Sequence, residues 1–411
     1  MSSNVDTLDQ RQKITLDNAP YSVRRLGRRL GQALHSGRLT IYLPGNRHLV
    51  LEGAGDKHLG ASMELRNYRA LRRILRGGAI GFAEAYIDGD WNTTDLPGLL
   101  SLLAGNLAHF RKRLGGNRIY RLWNRLLHLI RRNSRSGSRR NIAYHYDLGN
   151  DFYSLWLDRS MTYSAGCFAS PEVSLEAAQK EKYRRLADNL GLKPGDHVLE
   201  IGCGWGGFAE FAAGTYGCRV TGVTLSREQL SRARRHIRDA GLEDLCDFRY
   251  QDYRDIHGRF DHIVSIEMFE AVGEEHWPVY FDRLSRLLKE NGRIGLQIIT
   301  IADDRFEDYR RNSDFIQKYI FPGGLLPSPE KVSLLAKNNG FILTDQQDFG
   351  TDYAETLKRW RGKFLSRQAE IRDLGYPESF LRMWDYYLCY CEAGFNRKTI
   401  DVSHFILERQ N

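Results

Sequence analysis

The sequence has no run of apolar residues approaching the roughly 20 that a helix needs to span a bilayer. Its first residues are polar and do not form a secretory signal. Its few cysteines have the spacing of neither a disulfide framework nor a metal site. They are Cys167, Cys203, Cys218, Cys246, Cys389 and Cys391. We therefore expect no bound metal, a reducing cytoplasmic compartment, and peripheral contact with any membrane from its inner face.

Acidic residues are also missing from Arg111–Arg140, a stretch that supplies much of the net charge of +9. Apolar residues recur at helical spacing among its arginines, which predicts a basic amphipathic helix. These are Ile119, Leu122, Trp123, Leu126, Leu127 and Ile130. Each basic residue near anionic headgroups contributes about 1 kcal/mol, so an anionic phospholipid surface is the favoured partner. Nucleic acid is not expected, but it and a plain solvated linker remain the alternatives.

The most informative string is VLEIGCGWGG at Val198–Gly207, where an apolar strand runs into a glycine-rich turn. A helix from Phe208 to Ala213 is predicted to follow. Such glycines let the backbone approach a ligand and a helix start offers free N–H groups, as in nucleotide-type cofactor sites. The spacing departs from the dinucleotide fingerprint, and Glu200 at the strand end favours S-adenosylmethionine. A glycine turn that only packs a helix on a sheet is the alternative.

Strands and helices alternate after this turn, which predicts an α/β fold with a Rossmann-like, doubly wound sheet. The predicted strands are Arg219–Leu225, Asp247–Gln251, His262–Ile266, Ile294–Ile301 and Phe341–Asp345. The predicted helices are Arg227–Ala240, Pro278–Lys289 and Glu378–Gly394. Ser226 is expected to cap the first of these helices.

A chain of 411 residues exceeds what one core usually spans, so two domains are expected. Residues 1–106 read as a small N-terminal α+β domain, 107–141 as the basic linker, and 142–411 as the cofactor-binding domain. The N-terminal elements are a hairpin of Gly37–Asn46 with His48–Gly53, a strand Ala61–Leu65, a helix Tyr68–Arg76 and the segment Gly81–Trp91. No evident nucleophile lies there, so docking or lipid presentation is expected of it.

Long and unusual strings between Asn141 and Phe395 resemble the cyclopropane-fatty-acyl-phospholipid synthases and mycolic acid cyclopropane synthases, which are S-adenosylmethionine-dependent methyltransferases. The strings are HYDLGNDFYSLWLD, MTYSAGCF, LEIGCGWGGFA, GVTLSREQ, QDYRD, SIEMFEAVG, YIFPGG and EAGF. The resemblance implies a methyltransferase sheet, S-adenosylmethionine as cofactor and an unsaturated phospholipid acyl chain as substrate. Besides Glu200, it places the cofactor against Tyr146, Tyr163, Ser164, Gly202, Gly204, Thr224, Leu225, Gln229, Asp252 and Tyr253.

An alkene is a weak nucleophile, so the methyl donor must be held in near-attack geometry, and attack leaves a carbocation on the acyl chain. Water would capture that cation, so the site needs an apolar slot and a fixed anion. The resemblance makes Glu270 the anion. An aromatic insertion over the slot would comprise Phe315, Tyr319, Phe321, Pro322 and Gly323-Gly324, although such a stripe is also typical of ordinary core. The nearby Glu267, Glu274 and Glu275 are interpreted as exposed acids at a helix start.

Ring closure requires removal of a proton from the transferred methyl group, which the family assigns to a bicarbonate ion in a small polar cage. Glu270, Tyr353 and the backbone of Ile299 match that cage. Bicarbonate is therefore a possible second cofactor of this chain.

The site departs from the family pattern at three positions, one of which is Ala271, where the family usually has the histidine of FEHVG. Ala165 stands where a cysteine is usual, with Cys167 two residues on, and Gln297 stands where a histidine is usual. Glutamine cannot act as a base, although it can donate a hydrogen bond to an anion. Methyl transfer to an unsaturated lipid is thus better supported than ring closure. The resemblance to the family as a whole favours a cyclopropane product, and methyl- or methylene-branched acyl chains are the alternative product.

Two other classes remain open at this point. A nucleic-acid or small-molecule methyltransferase would share the cofactor half, but the fourth strand is followed by Glu267-Met268-Phe269-Glu270 in place of an Asn- or Asp-Pro-Pro-Tyr base pocket. A non-catalytic lipid-binding protein would share the apolar slot. The sequence does not fix the oligomeric state, and a homo-oligomer is one alternative.

Overall fold

The computed structural model describes residues 12–13, 21–55, 59–106, 109, 148–312 and 314–410. The described chain divides into two compact units, of which the first takes the residues up to 109 together with 375–397. The second takes 148–374 and 398–410. Tyr146 and the predicted basic helix Arg111–Arg140 lie outside the described residues, so both stay predictions.

The first unit contains a small mixed sheet in the order β1-β3-β2-β4-β5. Its strands are β1 Gln12–Lys13, β2 Arg38–Leu43, β3 Arg47–Glu52, β4 Gly60–Leu65 and β5 Trp91–Asn92. The predicted hairpin is confirmed, because β2 and β3 pair antiparallel from Arg38–Glu52 to Leu43–Arg47. Helices α1 (Tyr21–Ala33), α2 (Arg69–Ile87) and α3 (Leu96–Gly105) complete the part before residue 109. The two segments predicted at 68–76 and 81–91 join in α2, which is kinked at Gly78 with φ 58°.

A helix from the far end of the chain also belongs to the first unit. Helix Glu378–Asn396, labelled α13 below, packs on α2 and α3, although it falls within the range 142–411. The Tyr86 hydroxyl donates to Asp385 at 2.9 Å, and the Arg382 guanidinium lies 3.9 Å from the centre of the Tyr86 ring. A segment that is distant in sequence therefore packs in the N-terminal unit. Local hydrophobic periodicity predicts the helix but not the unit to which it belongs.

The second unit is built on one sheet, with the order β11-β12-β10-β9-β6-β7-β8 among its described residues. The strands are β6 His197–Ile201, β7 Arg219–Thr224, β8 Cys246–Tyr250, β9 Phe260–Ile266, β10 Leu288–Ile301, β11 Phe341–Asp348 and β12 Ile400–Arg409. Strands β6 to β10 pair parallel, whereas β12 pairs antiparallel with both β10 and β11. The α/β, doubly wound prediction is confirmed, but β12 was not predicted.

Helices cover both faces of this sheet. They are α4 Asn150–Ser154, α5 Leu175–Leu190, α6 Gly207–Tyr216, α7 Arg227–Asp239, α8 Trp277–Leu287, α9 Asp303–Tyr309, α10 Pro329–Asn338, α11 Gly350–Ser366 and α12 Gln368–Asp373. One apolar cluster centres on β9, β10 and α8, and the other on β6, α5 and α6. Ligands of such sheets bind beyond the carboxyl ends of the parallel strands. We therefore expect the site at the carboxyl ends of β6, β7, β9 and β10.

Candidate active site

The glycine turn after β6 has the backbone that its sequence predicted. Gly202, Gly204 and Gly206 all have positive φ values, 86°, 52° and 89°, and α6 begins at Gly207. A Cβ added at Gly204 would meet no heavy atom of the described chain within 4 Å, so this position faces open space. No side chain caps α6, which leaves N–H groups of its first turn for a ligand.

Glu200 lies in β6, directly before this turn, and is 3% exposed. Its Oε2 has no hydrogen-bond partner among the described residues. Burial raises the pKa of this carboxyl group, and the charge of Lys182 opposes the rise. A buried carboxylate oxygen without a partner fits the ammonium group at the methionine end of S-adenosylmethionine, so the residues present suit that cofactor.

A second cofactor wall follows β7. The Thr224 hydroxyl donates to Gln229 Oε1 at 3.0 Å, and the Ser226 N–H donates to Thr224 Oγ1 at 3.1 Å. Ser226 accepts from the Gln229 N–H at 3.2 Å, which confirms the predicted N-cap. Leu225 lies between them and is partly exposed. These bonds hold the predicted Thr224, Leu225 and Gln229 in one rigid turn.

Asp252 and Tyr253 lie in the turn after β8. Arg254 donates two side-chain hydrogen bonds to Asp252, at 2.8 and 2.6 Å, so this carboxylate is held by a neighbouring cation. The Tyr253 ring meets Tyr280 edge-on at 5.3 Å. Burial raises the pKa of Tyr253 to about 12, so its hydroxyl keeps its proton at neutral pH.

Ser164 is hydrogen-bonded to Lys182, which with its neighbour Gln179 was not among the residues predicted from the sequence. Lys182 Nζ donates to Ser164 Oγ and to Gln179 Oε1, both at 2.6 Å. Lys182 is fully buried, and that burial lowers its pKa to about 8. Both residues project from α5, where a lysine and a glutamine occupy buried positions three residues apart. A polar pair at core positions of a helix was the signal that could have found them.

Aromatic rings surround Tyr163 on several sides. Its ring centre lies 5.3 to 5.5 Å from those of Tyr153, Trp156 and Trp360. Trp360 in turn contacts Tyr353 at 6.1 Å, edge to face. A continuous aromatic wall therefore joins the predicted cofactor residue Tyr163 to the predicted cage residue Tyr353. Such faces exclude water and favour positive charge.

Glu267 corrects our interpretation of the acids after β9, since it points into the site and is not an exposed helix-start residue. Its carboxylate accepts from the Ala165 N–H at 2.8 Å, from Gln297 Nε2 at 2.7 Å and from the Tyr353 hydroxyl at 2.5 Å. Burial raises its pKa, and these donors oppose the rise. Its backbone has φ 50°, a left-handed conformation that costs a residue with a Cβ about 1–2 kcal/mol.

Gln297 is fully buried on β10, where it links two neighbours. Besides donating to Glu267, it accepts through Oε1 from His404 Nε2, at 3.0 Å. His404 is its direct antiparallel partner on β12. The histidine expected on the fifth strand is therefore absent, but another histidine reaches the same amide from the adjacent strand.

Glu270 lies one short turn beyond Glu267. Its Oε1 accepts from the N–H of Ile299, another residue predicted for the cage, at 2.5 Å. Its Oε2 is buried and has no hydrogen-bond partner among the described residues. Burial, assisted by the charge of Glu267, raises the pKa of Glu270 to about 8. The two carboxylates thus differ in their surroundings, because Ala165, Gln297 and Tyr353 donate to Glu267, whereas Oε2 of Glu270 has no donor in the described part of the chain.

Ala165 and Cys167 do not supply side-chain hydrogen bonds to this cage. Ala165 contributes its backbone N–H to Glu267. Cys167 is buried, its N–H donates to the Ala178 carbonyl, and burial raises the pKa of its thiol to about 12. A thiol with that pKa remains protonated at neutral pH and offers no anion.

The aromatic insertion is tied to Glu270 by its backbone. The Leu325 N–H donates to the Glu270 carbonyl at 2.9 Å, and Gln317 Nε2 donates to the Gly324 carbonyl at 3.2 Å. Residues Ile316–Ile320 form a π-helix, and the rings of Phe315 and Tyr319 pack 5.5 Å apart. A π-helix of this kind is common at functional sites.

The chain matches the mycolic acid cyclopropane synthetase family over residues 133–405. It belongs to this family. It is 39% identical to the tuberculostearic acid methyltransferase UfaA1 of Mycobacterium tuberculosis over 377 residues, covering 87% of this chain and 85% of the relative. It is 37% identical to the cyclopropane-fatty-acyl-phospholipid synthase of Escherichia coli K12 over 360 residues, covering 85% and 88%. It is thus an S-adenosylmethionine-dependent methyltransferase that acts on lipid.

The fold comparison agrees. The crystal structure of the mycolic acid cyclopropane synthase CmaA1 complexed with SAH and CTAB superimposes with a TM-score of 0.62 at 31% identity, covering 66% of this chain and 98% of that one. Within the described part of this family member, helices long and apolar enough to cross a membrane are absent. The same residues contain no group of three or more histidine, cysteine, aspartate or glutamate side chains placed to hold a metal ion.

Proposed function

We propose that this enzyme transfers a methyl group from S-adenosylmethionine to the double bond of an unsaturated phospholipid acyl chain and yields a branched chain in place of a ring. The supporting observation is the position of Glu267. Its carboxylate accepts hydrogen bonds from Ala165, Gln297 and Tyr353, which occupy three positions of the cage that the family pattern implies. The enzyme would thus carry its own carboxylate where the ring-forming members hold an external anion.

The bound cofactor supplies an electrophilic methyl group on a sulfonium centre. The aromatic wall around Tyr163 would keep water away from the acyl chain as positive charge develops. Glu270 would stabilise that charge through Oε2, which has no other partner among the described residues. Its ionised form is needed for this role, and the positive charge of the bound cofactor would lower its pKa from about 8.

The carbocation must then lose a proton. When a hydride shifts from the newly methylated carbon to the cationic carbon, the charge moves to the branched carbon. Loss of a proton from the new methyl group then leaves a methylene branch. In this scheme the Glu267 carboxylate accepts the proton, so no external base is required. Reduction to a saturated methyl branch would need a hydride donor from another protein.

Cyclopropane synthesis is the second candidate. Glu270, Tyr353 and Ile299 all match the ring-forming cage, and the Escherichia coli relative is named for that activity. Against it, Glu267 already takes the donors that a bicarbonate would need, and Gln297 replaces the histidine. The relative named tuberculostearic acid methyltransferase favours the branched product.

Product analysis tests the proposal. The enzyme is incubated with vesicles of a mono-unsaturated phospholipid and with cofactor whose methyl carbon is carbon-13. Hydrogenation and proton NMR of the released acyl chains distinguish a branch from a ring, because cyclopropane protons resonate at high field. We expect branched chains. A cyclopropane as the sole product would contradict the proposal and leave lipid methyl transfer standing.

A further inference from the structure

His404 contacts the active-site network but belongs to none of the motifs that identify the family. It lies on β12, the antiparallel neighbour of β10, and is fully buried. Its Nε2 is 3.0 Å from Gln297 Oε1. His404 therefore does not contact Glu267 itself, but it contacts Gln297, the side chain that donates to Glu267.

The hydrogen bonds fix which way each group points. Gln297 donates through Nε2 to Glu267, which turns its oxygen toward His404. An amide oxygen only accepts, so His404 must donate from Nε2 and leave Nδ1 without a hydrogen. Burial lowers the pKa of His404 to about 3, so the ring is neutral and this tautomer persists at working pH.

The opposite orientation of the Gln297 amide is disfavoured at both ends. It would set an amide oxygen against the Glu267 carboxylate, a contact between two acceptors. It would also direct the amide NH2 group at the Nε2–H of His404. The His404 donor thus selects the amide orientation that supplies a hydrogen bond to Glu267.

We propose that His404 is a positioning residue that orients Gln297 and, through it, holds the Glu267 carboxylate where it receives the proton. This inference rests on the function proposed above. The competing interpretation is that His404 only fills space, since its ring packs edge-on against Phe349 at 4.8 Å. Space filling alone would be better served by an apolar residue, because His404 Nδ1 is buried without a partner in the described part of the chain.

Glu267 is surrounded by groups from several elements. Tyr353 on α11 and Gln297 on β10 donate to it, Glu270 lies one turn further along the chain, and Lys182 on α5 contributes positive charge. Loss of one donor therefore weakens the stabilisation of the Glu267 anion without abolishing it. The acid limb of the rate profile should move by a measurable amount.

Five full-length proteins make the test: wild type, His404→Leu, His404→Gln, Gln297→Leu and the double variant His404→Leu/Gln297→Leu. His404→Leu should lower kcat about tenfold, the effect of weakening one hydrogen bond to a charged group. The KM for S-adenosylmethionine should not change, and the acid limb should shift up by about one pH unit. His404→Gln retains an N–H donor and should restore the wild-type profile.

The double variant decides whether His404 acts through Gln297. We expect it to be no slower than Gln297→Leu alone, because the contact has already been removed. Additive losses, or wild-type kcat and pH profile in His404→Leu, would overturn the inference. Failure of the proposed function is distinguishable, because it would show as a ring product from the wild-type enzyme itself.

Discussion

At the scale of single residues, the chemistry depends on two carboxylates with different surroundings. The resemblance predicted Glu270 as the anion and the backbone of Ile299 as part of the cage, and in the structure the Ile299 N–H donates to the Glu270 carboxylate. Glu267 was misinterpreted, because an acid shortly before a helical turn is usually a surface residue. Its left-handed backbone, with φ 50°, turns the side chain inward, and that conformation cannot be read from local sequence. Strain at a non-glycine residue is typical of functional positions.

The pKa of Glu270 makes stability depend on pH. Its pKa is about 8 in the folded enzyme, above the usual 4.5, so folding favours the protonated form. Ionisation of Glu270 therefore destabilises the folded enzyme. This destabilisation is absent at pH values below the pKa of the unfolded chain, grows as the pH rises, and levels off above about pH 8. Glu270→Gln cannot ionise and escapes this destabilisation. We therefore expect its gain in unfolding free energy over wild type to increase between pH 5 and pH 8.

Urea unfolding at both pH values measures this gain, and the same substitution at the exposed Glu290 serves as the control. A gain that does not change with pH would contradict the account of Glu270.

In activity assays Glu270→Gln should suppress methyl transfer itself, because no anion remains to stabilise the carbocation. Unaltered turnover would remove Glu270 from the catalytic role.

At the scale of helices and strands, the parallel core was predictable because each βα unit repeats the same pattern. The predicted β7, β8 and α7 agree with the structure to within one residue at each end. Strand β12 and helix α5 were missed. Strand β12 follows a long helix and so breaks the alternating period, and α5 buries Gln179 and Lys182 where an apolar stripe would be expected. Both elements carry residues that support the site.

The turn after β6 predicts a specific loss of cofactor binding. A side chain at Gly204 would project into open space where the cofactor is expected, so Gly204→Val should abolish binding of S-adenosylmethionine. Gly241 is a matched control, because it also has positive φ and open space around its Cβ position. Both substitutions should cost similar backbone strain, about 1–2 kcal/mol. Isothermal calorimetry should show wild-type affinity for Gly241→Val only, and retained binding in a folded Gly204→Val would refute the cofactor site.

At the scale of the whole molecule, the two units raise the question of how the enzyme reaches its lipid. We propose that Arg111–Arg140, which lies outside the described residues, brings the protein to an anionic bilayer. Periodicity and the absence of acids support this role. Helix α13 shows a limit of such reasoning, because it groups with the N-terminal unit despite its distance along the chain.

Vesicle cosedimentation tests this membrane proposal. Binding to anionic vesicles should fall steeply as salt rises, because the Debye length shortens to about 8 Å at physiological ionic strength. Neutral vesicles should bind weakly at every salt concentration. Equal binding to neutral and anionic vesicles at low salt would contradict the proposed surface.

The central claim is that Glu267 takes the place of an external bicarbonate. The most direct measurement is the initial rate of methyl transfer in carbon dioxide-free buffer, with and without added bicarbonate, for wild type and for Glu267→Gly. Glycine suits the left-handed backbone at this position and removes the side chain together with its carboxylate. We predict that the wild-type rate does not change, whereas Glu267→Gly is slow and is accelerated by bicarbonate. A wild-type rate that collapses without bicarbonate and recovers on its addition would contradict the account.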